Sequence, residues 1–238
     1  MRDRGRWILP FTLAVAFLGA FATARPQPAA AARRIAEHSS GYRVVVSLSD
    51  RMLWVLCDAD TLRAAPVGVG TDQWLTFGRE RWEFDTPRGR HVVLAKTENA
   101  PWVPPEWHYA EVAGAYGLRL GRLEPGRPIK LHDGRELAVR DSTVGVIEPD
   151  SVFAALPTDE EIVFDSTLYI PPLSTKNRHV PGVLGRYQLK LGGGYMLHGT
   201  PYAESIGKAS SHGCIRLRDE DIEWLYLNVP LGTPVYVY

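Results

Sequence analysis

The sequence predicts a mainly β, β-rich α+β fold, and three observations lead there. Gly 22 and Pro 18 in 238 residues supply turns at a density that suits many short strands better than a helical bundle. Runs of β-branched and aromatic residues, such as Val44-Val45-Val46 and Met52-Leu53-Trp54-Val55-Leu56, recur between turn residues. Clear helical spacing occurs in one stretch near the C-terminus. A chain that is 45% hydrophobic with 7 Trp is too apolar for disorder, and Lys+Arg 27 against Asp+Glu 27 leaves no global attraction for nucleic acid.

Residues 1–24 read as a secretory signal peptide. Arg2, Arg4 and Arg6 form a basic start, Trp7 to Phe21 an apolar run, and Ala22-Thr23-Ala24 a small-x-small cleavage site. The run falls short of the roughly 20 apolar residues of a membrane span. Export to the periplasm or cell envelope is therefore expected, with membrane attachment only through a signal left uncleaved. Residues 25–41 show no apolar periodicity and are expected to be a flexible linker. The folded domain is expected over 42–238.

Within that domain, Val44 to Ser49 and Met52 to Cys57 read as neighbouring strands, and Asp58-Ala59-Asp60 turns the chain into an extended stretch ending at Gly70. Thr86-Pro87-Arg88-Gly89 is a turn ahead of a strand from His91 to Ala95. Residues 107–166 are set aside as an inserted section of short strands and loops, with a hairpin at Asp133-Gly134. Asp219 is read as the cap of a helix whose Ile222, Leu225, Tyr226 and Val229 share a face, stopped by Pro230 and Gly232. Val235 to Tyr238 is the last strand.

The chemistry concentrates late in the chain. Cys214 is flanked by Gly213, preceded by Ser211 and His212, and followed by Arg216, a poor composition for a core strand. A thiol, a histidine to deprotonate it and a glycine that lets substrate approach are the requirements of nucleophilic catalysis. His198 lies 16 residues earlier and meets Cys214 only if the intervening chain folds back. Three competing readings stand beside this one. Cys is often simply buried, which suits Cys57 at the end of its apolar strand. A Cys57–Cys214 disulfide is permitted outside the cytoplasm. Zinc held by His198, His212, Cys214 and His179 ranks lower, because no second Cys or close ligand pair is present. There is no phosphate-binding loop or dinucleotide fingerprint, so no cofactor is expected.

Ile206-Gly207-Lys208-Ala209-Ser210-Ser211-His212-Gly213-Cys214-Ile215-Arg216-Leu217, preceded by Leu197-His198-Gly199-Thr200, resembles the signature of the L,D-transpeptidase catalytic domain family. The likeness extends through Thr86-Pro87-Arg88-Gly89, Pro181 to Gly185 and Gly232 to Val235, covering most of 42–238. It implies a mixed-β sandwich with a short C-terminal helix, in which 107–166 exceeds what a minimal domain needs. It implies Cys214 as nucleophile and His198 as its base, oriented by a carbonyl near Gly199. Ser211, His212 and Gly213 would shape the turn, and N–H groups around Gly213 and Cys214 would hold the oxyanion. Arg216 would either grip a substrate carboxylate or support the loop, and Lys208, Arg186 and Arg178 are further cationic candidates.

The implied substrates are peptidoglycan stem peptides. Cys214 would attack the carbonyl of the third stem residue, expel D-Ala, and pass the acyl group to an amine of another stem or of an envelope lipoprotein. The motif leaves open an L,D-carboxypeptidase, a thiol hydrolase cutting cross-links or releasing lipoprotein, a metal-dependent amidase, and a silent wall-binding scaffold with Cys214 disulfide-bonded.

Overall fold

A computed structural model describes residues 28–238, so the expected signal peptide lies outside the described residues. Among the described residues three α-helices, α1 (Pro28–Glu37), α2 (Glu106–Tyr116) and α3 (Asp219–Asn228), accompany many short strands. Among the described residues no helix is long and apolar enough to cross a membrane.

Two sheets face each other across the main core. The first runs Asp60–Pro66, Met52–Cys57, Tyr42–Ser47, Pro234–Val237, Gly89–Val92. Tyr42–Ser47 and Pro234–Val237 are parallel, and the other neighbours are antiparallel. The second runs Ile215–Arg216, Tyr195–His198, Tyr187–Gly192, Ala95–Glu98, with its parallel pair at the Ile215 end. The twofold alternation of strand side chains sends Val44, Val46, Leu53 and Val55 inward, where they meet Leu189, Leu197 and Ile215. Helix α3 seals this core with Ile222 and Leu225. Its N-cap position is Arg218 rather than Asp219, so Asp219, Glu220 and Asp221 form an acidic first turn on the positive end of the helix dipole. At the other end, Lys96 donates to the Tyr226 carbonyl.

The chain before Tyr42 departs from the flexible linker expected over 25–41. Helix α1 lies on the outer face of the first sheet, with Ala36 buried against Val45 and Tyr236. Alanine leaves no trace in a search for large apolar residues, yet its small side chain lets the helix approach closely. An Arg33–Glu37 pair one turn apart supports the exposed face.

The middle section also differs from strands and loops alone, because α2 opens it. Only Tyr109, Ala110 and Ala113 of this helix are buried, too narrow a stripe to stand out in the sequence. Gly117 ends it in the left-handed conformation, with φ 63°. Beyond it, Arg119–Arg122 pairs in parallel with Thr167–Ile170. Between these two strands the chain builds a four-stranded antiparallel sheet, Ile129–Lys130, Glu136–Arg140, Thr143–Ile147, Phe153–Ala155. That sheet has its own core of Leu123, Leu131, Leu137, Val144, Val146, Ile162 and Tyr169.

Candidate active site

The second sheet brings the separated motif residues together. Leu197 pairs with Ile215 and His198 with Arg216 in parallel register. Leu197 and Ile215 point into the core, so alternation turns His198 and Arg216 to the opposite face. Cys214, two residues before Arg216, returns to that same face. The arginine charge bears on both neighbours, opposing protonation of His198 and favouring the Cys214 thiolate.

His198 is buried, and its Nδ1 bonds to the Gly199 carbonyl at 2.6 Å. A carbonyl only accepts, so Nδ1 carries the proton and Nε2 keeps a lone pair. Burial lowers the His198 pKa to about 4, with Arg216 reinforcing the shift and the Gly199 and Leu184 carbonyls acting against it. Cys214 is half-buried, with its thiol 3.9 Å from the Gly194 carbonyl. Burial raises its pKa, while the Met196 N–H and Arg216 act the other way. At neutral pH His198 therefore rests as a neutral imidazole and Cys214 as a thiol.

The turn holding Cys214 is fixed at several points. Ser211 Oγ donates to the Cys214 carbonyl at 2.5 Å and accepts the Gly213 N–H at 3.1 Å. The expected oxyanion donor at Gly213 is thus committed within the turn. The Cys214 N–H has no acceptor among the described residues. Gly213 adopts φ 119°, and a Cβ there would stand 2.7 Å from the Asp85 carbonyl oxygen and from the Tyr195 ring. Glycine is required on both counts.

Thr86 was read from the sequence as part of a turn and of the family likeness, with no role of its own, and the structure brings it to the Cys214 turn. Its hydroxyl accepts the Gly70 N–H at 2.8 Å and donates to the Gly213 carbonyl at 2.9 Å, tying the Thr-Pro-x-Gly segment to the back of the Cys214 turn. The Thr-Pro dipeptide was the available signal, but nothing in it says where a hydroxyl will point.

The cationic candidates separate. Arg216 is half-buried, burial lowers its pKa, and it forms no ion pair among the described residues. Lys208 is exposed. Arg186 is bound to Glu98 at 2.8 Å. Arg178 is buried, donates to the Pro171 carbonyl at 3.2 Å and lies over the Tyr109 ring, which removes it from any surface a substrate reaches. Both cysteines are free, so the disulfide alternative is not formed. The four side chains considered for zinc do not converge, His179 being bonded to the Thr175 carbonyl at 2.9 Å and His212 being held by Glu111. Among the described residues no group of three or more His, Cys, Asp or Glu side chains is disposed to hold a metal.

The L,D-transpeptidase catalytic domain family matches residues 41–237. The chain belongs to that family. The probable L,D-transpeptidase YbiS of Escherichia coli is 50% identical over 52 residues, which is 22% of this chain and 17% of the relative. The putative L,D-transpeptidase YkuD of Bacillus subtilis is 43% identical over 63 residues, 26% of this chain and 38% of the relative. The chain therefore matches well under half the length of these curated relatives. Among solved structures, an L,D-transpeptidase from Xylanimonas cellulosilytica aligns with a TM-score of 0.45 at 16% identity, covering 84% of this chain and 61% of that one.

Proposed function

We propose that this L,D-transpeptidase family member is an exported enzyme that uses Cys214 to form a thioester with the third residue of a peptidoglycan tetrapeptide stem and transfers the acyl group to an amine. The observation that carries the reading is the His198 tautomer. With Nδ1–H held by Gly199, the free Nε2 lone pair belongs to a side chain on the same sheet face as Cys214.

As Sγ attacks the carbonyl carbon, the thiol proton passes to His198 Nε2, and the carbonyl oxygen takes up negative charge beside the Cys214 N–H. Collapse breaks the amide C–N bond. The leaving D-Ala nitrogen takes the proton from His198, leaving a thioester. An acceptor amine then attacks, gives its proton to His198, and expels the sulfur, which recovers that proton as a thiol. The thioester conserves the energy of the broken peptide bond, so no nucleotide is needed outside the cytoplasm. We assign Arg216 to a stem carboxylate, because it is the half-buried cation whose charge acts on Cys214. Lys208 is a candidate for a more peripheral contact. A strained β-lactam carbonyl such as a carbapenem presents the same electrophile and is expected to acylate Cys214.

The test is mass spectrometry of tetrapeptide muropeptides incubated with the enzyme and with Cys214→Ala. Cysteine-dependent loss of D-Ala with 3-3 cross-linked dimers is expected. Loss of D-Ala without dimers makes the enzyme an L,D-carboxypeptidase, or one whose acceptor is a protein such as an envelope lipoprotein. Equal behaviour of both proteins removes Cys214 from the chemistry.

A further inference from the structure

The His212 side chain leaves the Cys214 turn and enters a clamp supplied by the middle section. Its Nε2 lies 3.1 and 3.2 Å from the two Glu111 carboxylate oxygens. Its ring stacks on Trp107 at 4.1 Å with 15° between planes, and Phe84 meets it edge-on at 4.4 Å. Glu111 and Trp107 both belong to α2. A carboxylate only accepts, so Nε2 carries a proton toward Glu111, and the Trp107 face fixes the plane of the ring.

Helix α2 is itself immobilised. Tyr109 and Ala113 pack with Leu168 and Ile170, Glu106 is paired with Arg122, and His108 reaches Glu161 at 2.9 Å. The clamp is therefore a rigid arm on one side of the turn, opposite in role to Thr86, which holds the Gly213 carbonyl.

We propose that Glu111, with Trp107, is a positioning residue for acylation: by holding His212 it fixes the turn that aims the Cys214 N–H at the developing oxyanion. This rests on the reading of Cys214 as the acylated nucleophile. Two reactions at the same sulfur separate positioning from mere structure. Acylation builds an oxyanion and needs the aimed N–H, whereas alkylation by iodoacetamide builds none.

The experiment compares wild type, Glu111→Gln, Glu111→Ala and Trp107→Leu in the full chain. Intact mass follows acylation of Cys214 by a small thioester and its alkylation by iodoacetamide, and thermal unfolding is recorded beside them. Glu111→Ala and Trp107→Leu are expected to slow acylation about 10- to 100-fold, less than the loss of an oxyanion donor outright, while alkylation stays within about twofold. Glu111→Gln keeps an oxygen that accepts the Nε2 proton and is expected to restore acylation to within about threefold of wild type. The proposal is overturned if Glu111→Ala acylates at the wild-type rate. It is equally overturned if acylation, alkylation and the unfolding midpoint fall together. A wild-type enzyme whose Cys214 alkylates but is never acylated refutes the nucleophile reading itself, and the clamp with it.

Discussion

The sandwich buries Val44, Leu53, Leu189, Leu197 and Ile215 in one core, whereas the four-stranded sheet of the middle section buries Leu137, Val144 and Val146 in a core that shares no residue with it. In the sandwich, the residues behind the site are also the residues that hold the fold: Leu197 lies between Met196 and His198 and pairs with Ile215, the residue after Cys214. The core of the middle section takes in Tyr169 from the strand Thr167–Ile170, whose Leu168 and Ile170 pack against α2. The two regions meet through α2, whose small third core with Leu168 and Ile170 carries Trp107 and Glu111 to the Cys214 turn.

The largest expected effect comes from cutting the same side chain out of each core. Truncating a buried leucine to alanine costs about 2–5 kcal/mol. Leu197→Ala is expected to lower the stability of the whole sandwich and to slow Cys214 acylation more than about tenfold, because the cavity opens directly behind His198. Leu137→Ala is expected to remove hydrogen-exchange protection from residues 129–155 while acylation stays within about threefold. Exchange mass spectrometry run beside an acylation assay checks both. If Leu137→Ala silences Cys214 as Leu197→Ala does, the two cores unfold as one unit and the comparison breaks.

The same division decides what was readable beforehand. Strands such as Tyr42–Ser47 and Met52–Cys57 were legible because burial on one face imposes alternation and β-branched residues. Cys214 and His198 stood out through the residue types around them and the likeness to the family signature, and the structure sets His198 on a strand paired with the one that follows Cys214. Helices α1 and α2 were not, since apart from Tyr109 they are buried through Ala36, Ala110 and Ala113, which carry little hydrophobic signal. Nor was Glu111, because it meets His212 across 101 positions of sequence and no local rule spans that distance. Of the four basic candidates chosen for nearness in sequence, Arg178 fell inside the fold. Sequence distance does not tell which side of a strand or turn a long side chain takes.

Thr86 sharpens the comparison from the sandwich side. Replacing it with valine keeps the shape but leaves the Gly70 N–H without its acceptor and the Gly213 carbonyl without its donor. Unpaired buried groups cost about 1–3 kcal/mol each. Thr86→Val is expected to slow acylation about tenfold with little change in alkylation, and Thr86→Ser, which keeps the hydroxyl, to recover most of it. The ratio of the two rates is the measurement. Wild-type acylation in Thr86→Val with a loss in Thr86→Ser would locate the effect in packing of the threonine methyl instead.

The smallest expected effect is a flatness. A histidine with the ordinary pKa of about 6.5 would lose about tenfold of its neutral form at pH 5.5. Burial holds His198 at about 4, so its base form persists, and acylation of Cys214 is expected to vary less than about twofold between pH 7.5 and 5.5. Stability moves differently over the same range. The unfolded chain takes up this proton as the pH falls through about 6.5, the folded protein only near 4. The stabilising contribution of a neutral His198 is therefore complete above pH 6.5 and is lost progressively as acid approaches 4. Unfolding midpoints between pH 7 and 4.5 should fall for wild type and fall less for His198→Gln. An acylation limb near pH 6.5 would mean that His198 is hydrated in the free enzyme, and the site would then have to be dried by substrate before the base can work.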